Sequence, residues 1–210
     1  MPEDRPVHSI TDSSVLVDIV GAPSAQIANK EMTAIDGHCR RFIELCPFLC
    51  LSTADRHGNQ DVSPRGDPPG FVRMLDDRTL LIPDRKGNRR VDSMKNILEN
   101  PNVGLVLFVP GIEEVVRING KATLTDDPTL LAPSAVNGSA PVLGIRIELD
   151  AIFFHCAKAI KRSKLWDPAT PIDRSAFPSF GEIVRDQRNP DGDAAETEEM
   201  LQKEYRDRLY

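Results

Sequence analysis

The residues best suited to chemistry are four cations packed into one short turn. Arg85, Lys86, Arg89 and Arg90 surround Gly87 and Asn88. An apolar, strand-like run from Leu80 to Ile82 stops at Pro83, just before them. A helical pattern follows, with Val91, Met94, Ile97 and Leu98 on one face. A strand that opens through a cationic Gly/Asn turn into a helix start suits a phosphate group. First-turn N–H groups point at the ligand, the helix dipole favours an anion, and Arg forks grip phosphate at two oxygens. Asn88 and Ser93 could add neutral donors. Four cations cannot all face one phosphate, so at least one is a solvated surface charge. A wholly solvated basic loop is the plain alternative, because short basic motifs are common.

The cluster runs against the charge balance of the chain. Lys and Arg total 26 against 32 Asp and Glu, a net charge of −6. That argues against broad nucleic-acid binding, which needs a basic surface, but not against a local anion site. With 210 residues, 40% of them hydrophobic, the chain can build one sizeable domain plus tails. Cys39, Cys46, Cys50 and Cys156 lack a paired zinc spacing and read as free thiols in a reducing compartment. His155 stands beside Cys156, but His8, His38 and His57 fall in an arm, a helix and a turn, so no metal site is expected. The start, Met1 to Pro6, is acidic and has no apolar signal core, and no apolar run reaches membrane-span length. The expectation is a cytoplasmic protein without membrane or nucleic-acid partners.

The elements that must position the turn follow from patterning. Residues 1–24 read as an N-terminal arm, loose over its first 14 residues. A helical pattern runs from Ser24 to Leu45, broken by Gly37, with Ile27, Ile35, Phe42, Ile43 and Leu45 as its buried face, and Pro47 stops it. Phe48–Ala54 and Gln60–Pro64 flank a Gly/Asn turn as a hairpin. Val72–Leu75 and Thr79–Ile82 form a second. Further strands are expected at 103–109, 114–124 and 142–156, with a bulge or close approach at Gly120. Many antiparallel strands with short turns and few helices predict a mainly β chain with flanking helices, an α+β class, closed into a small barrel. The end, from Arg185 to Tyr210, is charged and reads as a partly helical tail.

Five stretches in order carry a family resemblance: Phe48–Thr53, Gly58–Asp67, the basic turn, Asn100–Leu105 and Arg117–Ala122. A sixth is His155–Pro168. Their order and spacing resemble pyridoxamine 5′-phosphate oxidase-like flavoproteins, over residues 25–170; residues 171–210 read as a C-terminal extension. The resemblance implies an FMN-binding split β-barrel of Greek-key type, and a homodimer holding an FMN at each of two interface sites. Composition and periodicity do not themselves show a flavin.

For the residues, the resemblance implies that cations of the basic turn hold the FMN phosphate. It also places Arg65, at a strand end, beside the flavin; a surface pair with Asp67 is the alternative. Lys161, Arg162, Ser163 and Trp166 form a second cofactor-binding group. Trp166 is the only tryptophan. It is flat enough to edge a flavin ring, that of the partner subunit included, or else it is a core or interface residue. Glu113 and Glu114 read as a solvated pair in a turn. No general acid or base is assigned, because redox chemistry would belong to the flavin. The expected function is an FMN-dependent oxidoreductase of unknown substrate. A non-catalytic flavin or tetrapyrrole binder, or a deazaflavin-dependent reductase, is the alternative.

Overall fold

The structure, a computed structural model, describes residues 9–210. Residues 1–8 of the expected arm, His8 among them, lie outside the described residues. The chain divides into two compact units, residues 1–31 and 32–210. The first holds two short helices, α1 (Ser14–Val20) and α2 (Ala25–Ala28), neither with a buried residue. The helical pattern expected from Ser24 to Leu45 is therefore two separate pieces. The second piece, α3 (Gly37–Leu45), has its own start signal: the Asp36 carboxylate accepts a hydrogen bond from the Cys39 N–H at 2.7 Å. Ile35, Phe42 and Ile43 are buried as expected, Leu45 is half-buried, and Ile27 is exposed.

The second unit is built on one seven-stranded antiparallel sheet. Its strands are β1 (Phe48–Ala54), β2 (Gln60–Gly66), β3 (Arg73–Met74), β4 (Thr79–Pro83), β5 (Asn102–Phe108), β6 (Val115–Thr125) and β7 (Gly144–His155). Their order across the sheet is β2-β1-β5-β6-β7-β4-β3. β5, β6 and β7 run as a meander, while β4 lies beside β7 and its chain crosses back to β5 through α4 (Asp92–Glu99). Strands β4 to β7 thus follow a Greek key. The sheet keeps two edges instead of closing fully. Both are blunted, β2 by Pro64 and β3 by its length of two residues.

Strict alternation explains which face is core. Leu49 and Leu51, Leu105 and Leu107, Val116 and Ile118, and Ile145, Ile147 and Leu149 turn inward, all nearly inaccessible. Helix α3 adds Cys39, Phe42 and Ile43, with Phe42 edge-on to Phe154 at 5.7 Å. Helix α4 adds Met94 and Ile97. Leu98, expected on that face, is 76% exposed, and Val91 precedes the helix instead of joining it. The expected break at Gly120 is a register shift between Asn119 and Gly120. A Cβ at Gly120 would run into the Glu148 carbonyl oxygen and the Ile147 side chain. Helix α5 (Pro128–Leu131) sits in the β6–β7 connection. Beyond β7, α6 (Lys158–Ser163), α7 (Phe180–Arg188) and α8 (Ala194–Asp207) complete the unit. Among the described residues no helix is long and apolar enough to cross a membrane.

Candidate functional site

The basic turn occupies the link from the last residue of β4 to the start of α4. Its backbone is unusual. Arg89 and Val91 both take left-handed conformations, at φ 61° and 51°. For β-branched Val91 that is an outlier, of the kind that costs about 1–3 kcal/mol and persists only where surrounding structure imposes it. Val91 stands at the N-cap of α4 and offers no side-chain oxygen to it. Among the described residues the first-turn N–H groups therefore have no intrahelical or side-chain capping partner, an arrangement an anion can satisfy.

The four cations divide by what holds them. Arg85 is a strut. Its Nε donates to Asp67 Oδ2 at 2.5 Å and its Nη1 to the Ser134 carbonyl oxygen at 2.9 Å. The Arg85 side chain is 20% exposed and that of Asp67 only 2%. Lys86 donates to the Tyr210 carbonyl oxygen at 2.8 Å, in an exposed position. Arg90 pairs with Asp92 at 2.7 Å, also exposed. Surface pairs of this kind contribute little, about 0–1 kcal/mol. Arg89 is exposed and its side chain has no ion pair or hydrogen bond among the described residues. Asn88 Oδ1 accepts from the Arg90 N–H at 3.0 Å, which shapes the turn and leaves its amide nitrogen free to donate.

Arg65 and Ser93 lie beneath the turn. Ser93 is buried and gives its hydroxyl proton to Asp61 at 2.9 Å. Its oxygen then accepts from Arg65 Nη2 at 3.3 Å. Ser93 is thus tied into a partly buried network with Asp61 and Arg65. Arg65 also donates to Ser63 Oγ and to the Pro64 carbonyl oxygen. Burial lowers the pKa of Arg65, while the charges of Asp84 and Asp61 act to raise it. Burial likewise raises Asp84, against the pull of Arg65 and Arg85. Asp67, the surface partner expected for Arg65, is instead buried and belongs to Arg85.

The second group is placed elsewhere. Lys161 pairs with Glu113 at 2.6 Å, both side chains remaining solvent-exposed. Ser163 Oγ donates to the Ile160 carbonyl oxygen at 3.1 Å. Trp166, half-buried, donates its Nε1–H to the Ile112 carbonyl oxygen at 2.9 Å. These contacts fasten the segment after β7 to the turn between β5 and β6. Arg162 is exposed. The basic turn leaves from the end of β4 paired with Gly144, the first residue of β7, whereas the Trp166 segment follows its last, His155. The two groups thus depart from opposite ends of one strand, and their partners within the chain are different.

Asp61, Asp67, Asp84, Ser134 and Tyr210 complete the surroundings of the turn, and sequence reading assigned none of them a role there. Ser134 is buried, and its Oγ has no hydrogen-bond partner among the described residues. Nothing in the sequence marks Ser134 or Tyr210, since both reach the turn by long-range folding. An open cleft of about 330 Å³ over the Gly120 bulge, lined by Ser52, Gln60, Asn102, Asn119 and Asp150 among others, includes none of the expected site residues.

Fold and site together define a Greek-key sheet protein with a cationic turn at a helix start. The profile of the pyridoxamine 5′-phosphate oxidase family matches residues 35–156, more than half of the chain, and the chain belongs to that family. Among solved structures it is similar to HupZ from Group A Streptococcus, at 16% identity. That match covers 55% of this chain and 91% of the other, with a TM-score of 0.45. It is also similar to an FMN-binding protein from Syntrophomonas wolfei (12% identity, 56% and 88% of the two chains, TM-score 0.41). A third is the heme storage protein HutZ from Vibrio cholerae (15% identity, 57% and 93%, TM-score 0.40). Comparison with curated proteins gives no match.

Proposed function

We propose that the chain binds FMN, with the phosphate at the turn between β4 and α4, and acts as an FMN-dependent oxidoreductase. The carrying observation is the uncapped start of α4 behind a left-handed turn, where Arg89 is uncommitted and Lys86 and Arg90, both exposed, are each held by a single partner. Family membership supports the choice of FMN over another phosphate ligand. The donor set fits a dianion: Lys86, Arg89 and Arg90 supply charge, the Asn88 amide and the α4 N–H groups supply neutral donors, and the orphaned Ser134 hydroxyl lies beside Arg85. Arg85 and Arg65 position this surface from below through Asp67, Ser134 and Ser93. When bound, the flavin supplies the electron transfer; the chain's own part is to bind, orient and shelter it.

Titration of the purified protein with FMN, followed by flavin absorption and fluorescence, tests the reading. Arg89→Ala removes charge-assisted contacts worth about 1.5–3 kcal/mol, so affinity should fall roughly ten- to a hundredfold. Bleaching of the bound flavin by a reduced nicotinamide cofactor would support the oxidoreductase. A protein that takes up heme or a deazaflavin and not FMN would overturn the assignment.

A further inference from the structure

Tyr210 reaches the same turn from the far end of the described chain. Its phenol donates to Asp67 Oδ1 at 2.7 Å. Its ring lies under the Arg85 guanidinium, 5.8 Å from the centroid. Its carbonyl oxygen takes the Lys86 ammonium at 2.8 Å. The Asp67 carboxylate is thereby shared, one oxygen to Arg85 and the other to Tyr210. The hydrogen bond to Asp67 raises the phenol's pKa above its ordinary value. The helix leading to this contact, α8, has no buried residue, and residues 208 and 209 after it are exposed. The segment is held at Tyr210 and, further back, against α7, where Gly181 packs on Ala194 and Glu198 and Glu198 accepts from the Gly181 N–H at 2.8 Å.

We propose that the segment from α8 to Tyr210 is a strap that competes with the phosphate group for the basic turn. The proposal rests on the phosphate reading above. Lys86 cannot serve the Tyr210 main-chain oxygen and a phosphate oxygen with the same geometry, and a phosphate dianion offers it the greater charge. A dianion arriving at the turn takes Lys86 away from Tyr210. Loss of that bond loosens the segment at Tyr210, so binding and strap closure oppose one another, and each must weaken the other by the same factor.

The experiment uses the full-length chain with Tyr210→Ala and Tyr210→Phe. Hydrogen exchange across residues 195–209 reads the strap, and FMN titration reads the site. In the ligand-free protein Tyr210→Ala should speed exchange in the tail, and Tyr210→Phe should do so less. FMN affinity of Tyr210→Ala should rise about two- to tenfold, the scale of a few ordinary contacts removed from the closed form. FMN added to the unsubstituted protein should itself speed tail exchange. Unchanged tail exchange in Tyr210→Ala would overturn the strap. A freed tail with unchanged or weaker FMN binding would overturn the competition, weaker binding marking Tyr210 as part of the cofactor's cradle. If FMN binds neither protein, the cofactor reading fails on its own. Inorganic phosphate at constant ionic strength then decides for the strap: faster tail exchange supports it, unchanged exchange overturns it.

Discussion

Arg85 and Arg89 stand four residues apart in one turn and do different work. Arg85 neutralises a carboxylate that is almost fully enclosed, so removing its guanidinium leaves Asp67 charged and desolvated. Breaking such a buried pair typically costs about 3–5 kcal/mol. Arg85→Ala should therefore lower stability by an amount near the bottom of that range, because the Tyr210 hydroxyl still donates to Asp67. Arg89→Ala touches no partner and should leave stability within about 0.5 kcal/mol. Urea denaturation of the two variants checks this; equal losses would contradict the division of the turn into strut and ligand-facing cations. The density of cations was legible in the sequence, as was the helix start behind them. Their division was not. Arg85's partners are 18 and 49 residues away, and only the folded chain shows which cation meets them. The partner of Ser93 was out of reach for the same reason, since Asp61, which takes its proton, is 32 residues away.

At the level of elements, β6 and β7 show how one glycine sets the path of a sheet. The register shift lies at Asn119/Gly120, where the strand passes close to the backbone of β7. Gly120→Ala places a methyl against the Glu148 carbonyl oxygen, a backbone atom that cannot swing aside. Overpacking of this kind costs about 1–3 kcal/mol, and thermal unfolding should show it as a lower midpoint. A midpoint unchanged from that of the unsubstituted protein would mean the strand can shift register cheaply. Period-two alternation and apolar runs made β1, β4, β5, β6 and β7 readable, because each buries one face or both, whereas β2, with no buried residue, was readable from the Gly/Asn turn before it. Helix limits were less readable. Gly37 looked like an interruption of one helix, whereas Asp36 starts a new one by capping it. The charged end from Arg185 read as a partly helical tail, but without a core-facing stripe the limits of α7 and α8 did not show. Strand order was beyond local pattern altogether, since placing β4 beside β7 depends on a crossover through α4.

For the whole molecule, the open edge of the sheet matters most. The outward face of β2, β1 and β5 carries Val62, Pro64, Phe48, Cys50, Val106 and Phe108, with Val62 64% and Phe48 41% exposed. Phe48 and Phe108 approach to 6.2 Å on that face. Contiguous apolar surface of this sort marks an interaction site, and a second copy of the chain can cover it by two-fold symmetry. The expected homodimer would also address the separation of the two residue groups. The Trp166 segment and the basic turn leave opposite ends of β7, so a cofactor site shared between two copies would draw one group from each. Light scattering at micromolar concentration should then report about twice the chain mass. Replacing Val62 and Phe48 together by Glu puts charge into the face and should yield monomers. If Trp166 of the partner subunit lines the flavin, those monomers should lose FMN affinity and the quenching of Trp166 fluorescence that FMN causes, while keeping the phosphate turn intact. Monomers that bind FMN as tightly as the parent, with Trp166 quenched to the same extent, would show that one chain suffices and that this face does not build the site.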